Sequence, residues 1–196
     1  ASVSRVKPVF ELKILECMEL LHKSSRPLII AGNGVHLSGA EPQLRSLVEE
    51  WGIPVVSTWS ASDIFNFQND HYVGNLGILG QRAANRAVQQ ADLLLILGSR
   101  LSIPCIGYAT DKFAPSAKKI MVDIDHNEIM KETLGTIDVP VVADIADFLN
   151  SLLLSGWNPG DIAPWQRYLR EIKNVLRLEK EDKADEEGFI DSYSFI

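Results

Sequence analysis

The chain is poor in the residues and patterns that announce most kinds of chemistry. Its 196 residues include two cysteines, Cys17 and Cys105. Two thiols so far apart, with no Cys-x-x-Cys, exclude a disulfide framework and a cysteine zinc site. They are expected to be reduced and to pack as small apolar groups. No apolar run approaches the ~20 residues of a membrane span. The first residues lack a charged segment followed by an apolar core, so no signal peptide is expected. Positive charge is in deficit, with 19 Lys and Arg against 26 Asp and Glu and a net charge of −7. That balance works against nonspecific nucleic-acid binding and against docking on an anionic membrane. The expected setting is the cytoplasm, with neither nucleic acid nor membrane as partner.

Catalytic signatures are missing as well. His22, His36, His71 and His126 are scattered without metal-ligand spacing. There is no Gly-x-Ser-x-Gly and no evident Ser/His/Asp arrangement. The GxGxxG fingerprint is absent, which argues against an NAD-dependent dehydrogenase domain. No catalytic residue and no metal ligand is nominated.

What the chain does have is a substantial apolar fraction, 46%, arranged as alternating strands and helices. Short apolar runs at 27–31, 54–57, 93–97, 119–123 and 139–142 read as strands. The run Leu93-Leu94-Leu95-Ile96-Leu97 is apolar throughout, as in a parallel sheet covered on both faces. Helical spacing marks 8–23, 39–51, 80–91 and 145–154, with Gly52 as a C-terminal glycine and Asp144 as an N-cap. Residues 58–79 show no regular pattern, and a segment of that length is usually functional or interface-forming. This organisation predicts an α/β fold, a three-layer α/β/α sandwich around a doubly wound, mostly parallel sheet.

After Ser155 the character changes. A turn-rich stretch at 156–160 precedes an amphipathic helix at 165–178, a charged run at 180–187 and an apolar, aromatic end, Phe189 to Ile196. The reading is a domain over 1–155 followed by a linker helix and the entry to a further domain over 156–196. With Ala1-Ser2 in place of an initiator methionine, the chain is expected to be a piece of something larger.

Chemistry-bearing residues stand where apolar runs end, which is where open α/β sheets bind ligands. Gly32-Asn33-Gly34 follows a strand and brings backbone N–H groups toward a phosphate, or simply permits a sharp turn. Gly74, Gly77 and Gly80 are spaced three apart before a helix, serving either a ligand or the loop itself. Arg100 suits a diphosphate or a carboxylate, or a local ion pair with Asp63 or Asp123. Asp123 and Asp125 suit ribose hydroxyls, or cap the next segment.

In their order and spacing these stretches resemble the central domain of thiamine-diphosphate-dependent enzymes of the acetolactate synthase group. The resemblance runs through Arg26-Pro27-Leu28-Ile29-Ile30-Ala31-Gly32-Asn33-Gly34, Tyr72-Val73-Gly74-Asn75-Leu76-Gly77, Gly80-Gln81-Arg82-Ala83-Ala84-Asn85, Leu97-Gly98-Ser99-Arg100 and Val122-Asp123-Ile124-Asp125. It covers roughly residues 8–154. It implies a Rossmann-like sheet of six parallel strands between two flanking domains, which carry the sites for thiamine diphosphate and Mg2+. Neither the Gly-Asp-Gly motif of those sites nor the amino-terminal domain is in this sequence. Some members hold FAD or ADP in the central domain. Their contacts correspond to Gly32, Gly34, Thr58, Leu79, Gly80, Arg100, Asp123, Ile124 and Asp144. The second arginine that FAD-binding members carry after the first is missing from Leu101-Ser102-Ile103-Pro104-Cys105-Ile106-Gly107. The resemblance therefore implies a scaffold domain of a lyase or transferase acting on 2-oxo acids. Its partners would be the flanking domains, within a homo-oligomer. The alternative is a free-standing nucleotide-binding or regulatory module without catalysis.

Overall fold

A computed structural model describes residues 6–156 and 160–176 of the chain. The elements in order are α1 (Val6–Lys23), β1 (Pro27–Ala31), α2 (Gly34–Leu37), α3 (Glu41–Trp51), β2 (Val55–Ser57), β3 (Tyr72–Asn75), α4 (Arg82–Gln90), β4 (Leu93–Leu97), α5 (Ile103–Ile106), β5 (Lys118–Asp123), α6 (His126–Ile129), β6 (Val139–Val142), α7 (Ile145–Leu154) and α8 (Ala163–Val175). Among the described residues the strands form one six-stranded sheet of order β3-β2-β1-β4-β5-β6. Every neighbouring pair is parallel, so the sheet is wholly rather than mostly parallel.

Alternation along the strands builds the two cores. On β1, Leu28 and Ile30 face one layer while Ile29 and Ala31 face the other, and β4 divides its leucines and isoleucine in the same way. The Ile29 side is covered by α1, α3 and α7. The Leu28 side is covered by α4, α6 and α8. With both faces buried, each strand needs side chains that are apolar all along it, which is why β4 carries no polar residue. Asp92 fixes the amino ends of β1 and β4 together. Its carboxylate accepts from the Ser24 hydroxyl and from the backbone N–H of Ser25 and Arg26, the last two at 3.0 Å.

The expected caps are present. Gly52 ends α3 at φ +64°, its N–H donating to Val48 O, and Asp144 Oδ1 accepts from Ala146 N at 2.8 Å at the start of α7. Three expectations are corrected. The segment 58–79 contains a strand, β3, whose Val-Gly-Asn run is too short and too polar to stand out as one. The helix after Gly32-Asn33-Gly34 is the single turn α2, and the longer α3 starts only at Glu41. The fourth helix begins at Arg82, because Gln81 is extended. The charged run at 180–187 and the aromatic end lie outside the described residues. Among the described residues no helix is long and apolar enough to cross a membrane.

The last described helix packs into the domain. The α8 residues Trp165 and Leu169 are buried in the same core as Leu28, Ile30 and Val73. Trp165 Nε1 donates to Pro27 O at 3.0 Å and its ring stacks on Tyr168. Lys173 donates to the carbonyls of Phe67, Asn69 and Tyr72 and stands over the Phe67 ring, tying α8 to the loop before β3.

Candidate functional site

The order of the sheet reverses between β1 and β4, and a crevice opens at the carboxyl ends of β1, β4, β5 and β6. Its volume is about 430 Å³. Five of the expected residues line it: Gly34, Arg100, Asp123, Ile124 and Asp144. Leu37 and Ser38 of the α2 turn form one wall. The remaining four expected residues do not line it. Gly32 precedes the lining residue Asn33, and Thr58, Leu79 and Gly80 follow β2 and β3 on the far side of β1.

The glycine loop is built for packing. Gly32 N donates to Leu97 O at 2.8 Å and Gly34 N to Gly98 O at 2.9 Å, so both N–H groups are used within the protein. A methyl group on Gly32 would stand 2.3 Å from Gly98 O and 2.6 Å from Ser99 Cα. The two loops can lie this close only without side chains there. The second glycine loop follows the same logic. Gly77, at φ +114°, is held by Asn85, whose Oδ1 accepts from Gly77 N and whose Nδ2 donates to Gly77 O, both at 2.8 Å. Gln81 Oε1 accepts from Asn75 N. The Gly80-to-Asn85 motif thus supplies the polar side chains that fold the preceding loop.

Arg100 pairs with neither Asp63 nor Asp123. Its guanidinium lies 2.9 Å from Glu128 Oε1, and Glu128 also meets Lys131. Glu128 is not among the residues nominated from the sequence, although the sequence carries a signal for it. Asp125-His126-Asn127-Glu128 has capping-box spacing, and Asp125 does cap α6, accepting from Asn127 N at 2.8 Å. In a capping box the glutamate returns to the backbone N–H of the cap residue. Here Asp123 Oδ1 already accepts from Asp125 N at 2.9 Å, so Glu128 turns to the cations instead. Asp123 and Asp125 therefore act as caps, and the backbone bonds of Asp123 and Asp144 use Oδ1 in each.

Burial pushes the Glu128 carboxyl up, but hydrogen bonds from Lys131 and Arg100 outweigh it and hold it below the usual glutamate range. A value depressed in the folded state gives stability that is complete above the unfolded value, about pH 4.3, and is lost as pH falls through the folded one. The melting-temperature gap between wild type and Glu128→Gln is therefore expected to be widest above that pH and to close on acidification. A gap independent of pH between 3 and about 6 would contradict it.

Among the lining residues Arg100 is the one cation, against Asp123, Asp125, Glu128 and Asp144. The crevice presents carboxylates, which accept hydrogen bonds from hydroxyl groups. It offers a diphosphate only a guanidinium that is already paired. Among the described residues no three His, Cys, Asp or Glu come together in a way that could hold a metal ion.

Comparison with known proteins agrees with this architecture. The family described as the thiamine pyrophosphate enzyme central domain matches residues 14–152. Acetolactate synthase from Mycobacterium avium is 37% identical over 88% of this chain and 28% of its own length. The acetolactate synthase large subunit of Corynebacterium glutamicum is 35% identical, over 82% of this chain and 26% of its own. A probable large subunit from Methanocaldococcus jannaschii is 36% identical, over 84% and 28%. The chain thus spans little more than a quarter of the length of the curated relatives it matches. With a matching family over most of its length and the wholly parallel sheet between two helical layers, the chain belongs to the thiamine pyrophosphate enzyme central-domain family.

Proposed function

We propose that this chain is the scaffold domain of a larger thiamine-diphosphate- and Mg2+-dependent enzyme of the acetolactate synthase kind, acting on 2-oxo acids. The carrying observation is the family match over 14–152 together with a crevice that gathers Gly34, Arg100, Asp123, Ile124 and Asp144 at the reversal of strand order. The cofactor would do the carbon chemistry, from sites on flanking domains. This domain would hold those domains in place within a homo-oligomer. The carboxyl-edge loops that carry exposed Trp59, Ile78 and Leu79 are the surface it would offer them.

The crevice is the proposed place for an adenine nucleotide, ADP or FAD. Asp123 and Asp144 would accept from ribose hydroxyls, and Arg100 would reach a phosphate by leaving Glu128. A thermal-shift titration of the chain with ADP, FAD, NAD and thiamine diphosphate plus Mg2+ tests this. A ligand of the folded state raises stability as RT ln(1 + [L]/Kd). Stabilisation by ADP or FAD, none by thiamine diphosphate, and loss of the effect in Asp123→Asn is the expected pattern. No response to any adenine nucleotide would leave a scaffold without a nucleotide site. A response to thiamine diphosphate would overturn the assignment of its site to other domains.

A further inference from the structure

His36 belongs to the α2 turn, one residue before the crevice-lining Leu37, and its ring is gripped from both sides. Nδ1 lies 2.6 Å from Glu41 Oε1 and Nε2 lies 2.9 Å from Asp63 Oδ1. Ionised carboxylates accept hydrogen bonds and donate none, while a neutral imidazole has one N–H. Both contacts therefore coexist only on the imidazolium. The three groups come from three places in the chain: α2, the first turn of α3, and the segment after β2. Among the described residues, Arg45 on α3 is the further charged group that acts on Glu41 and Asp63. Its guanidinium sits 5.8 Å from the centre of the Phe65 ring.

We propose that His36 is a proton-operated latch that ties the crevice wall to the 59–63 segment when charged and releases Asp63 when its proton leaves. Asp63 is the contact that opens because it is the exposed partner. Its side chain is 76% accessible against 28% for Glu41, so water replaces the imidazole there most readily. Glu41 keeps the single remaining N–H. Ala61, Ile64 and Phe65 are buried, which confines the release to the exposed positions around them, Ser60, Ser62 and Asp63. On the wall side, α2 is one turn long with no side-chain cap, and the tie adds to the Gly34 N–H bond to Gly98 O and the buried Val35 that hold it.

Hydrogen bonds from Glu41, then Asp63, raise the titration of His36 above the ordinary histidine range. With a raised folded value the tie is complete below the unfolded value, about pH 6.5, and is lost as pH rises through the folded one. His71 serves as an internal reference. Desolvation, partly opposed by the nearby Asp70, moves it the other way.

The test is a histidine NMR titration of the full chain combined with amide exchange of residues 60–63, corrected for the intrinsic effect of pH on exchange. In the wild type His36 is expected to titrate above His71, and protection of 60–63 to fall about twofold to fivefold across the His36 midpoint, the range for exposed ion pairs. In Asp63→Asn the midpoint drops and the exchange step disappears. His36→Ala, with no donor at any pH, shows the released level throughout. Protection that stays constant across the wild-type midpoint overturns the latch, as does a step that survives in Asp63→Asn. A midpoint that moves with no exchange step also overturns it, since the pair would then hold nothing in place.

Discussion

Replacing Trp165 with alanine is expected to destabilise the domain by about 4 kcal/mol, the range for emptying a buried tryptophan site. For a chain of this length that corresponds to a fall of roughly 8–16 °C in melting temperature. The indole is 4% exposed, lies in the core beneath β1, and stacks on Tyr168 with ring centroids 5.6 Å apart. It also donates to Pro27 O across 138 residues of sequence. Trp165→Phe separates the two contributions. It retains most of the packing and loses the hydrogen bond, so its expected cost is about 1 kcal/mol. The same pair of variants decides whether 156–176 is a linker, as its sequence suggests, or a structural layer of the domain. A linker helix would tolerate Trp165→Ala with a change within about 0.5 kcal/mol, as ordinary surface positions do.

Gly32→Ala is expected to cost roughly 3 kcal/mol, at the upper end of overpacking effects. The added methyl would meet a backbone oxygen at 2.3 Å and a backbone carbon at 2.6 Å, and neither can rotate away. Relief requires the ends of β1 and β4 to separate, which breaks the Gly32 N–H bond to Leu97 O and distorts the Gly34 bond to Gly98 O. Chemical denaturation measures the loss. The comparison variant is Gly39→Ala, at a glycine whose added methyl would meet nothing within 4 Å, although its φ of +63° makes alanine strained there. If Gly32→Ala costs no more than Gly39→Ala, close backbone packing is not the reason for glycine at position 32. A ligand-binding role alone would leave the stability of the unliganded chain unchanged.

The layered fold could be read from the sequence because its signals are local. The unbroken apolar run of β4, the helical spacing of α3 and α7, the closing Gly52 and the capping Asp144 each encode their own structure within a few residues. The edge strand β3 could not be read so easily. Its four residues end in Gly-Asn, and they become a strand by pairing with β2 through an irregular register.

The candidate site divides in the same way. Where strands end is a matter of sequence, so all nine candidate residues do lie at the carboxyl side of the sheet. Which of them share one crevice depends on strand order. Because β4 returns to the other side of β1, Arg100, Asp123 and Asp144 converge, while Thr58, Leu79 and Gly80 are carried away with β2 and β3. The partner of Arg100 also depended on tertiary structure. Glu128 reaches it from α6, while Asp123 holds the backbone N–H that a capping glutamate would seek. The sequence by itself determined the layers, the caps and the family. The tertiary structure decided which side chains meet, because strand order brings together residues far apart in the chain, as it does Arg100 and Glu128.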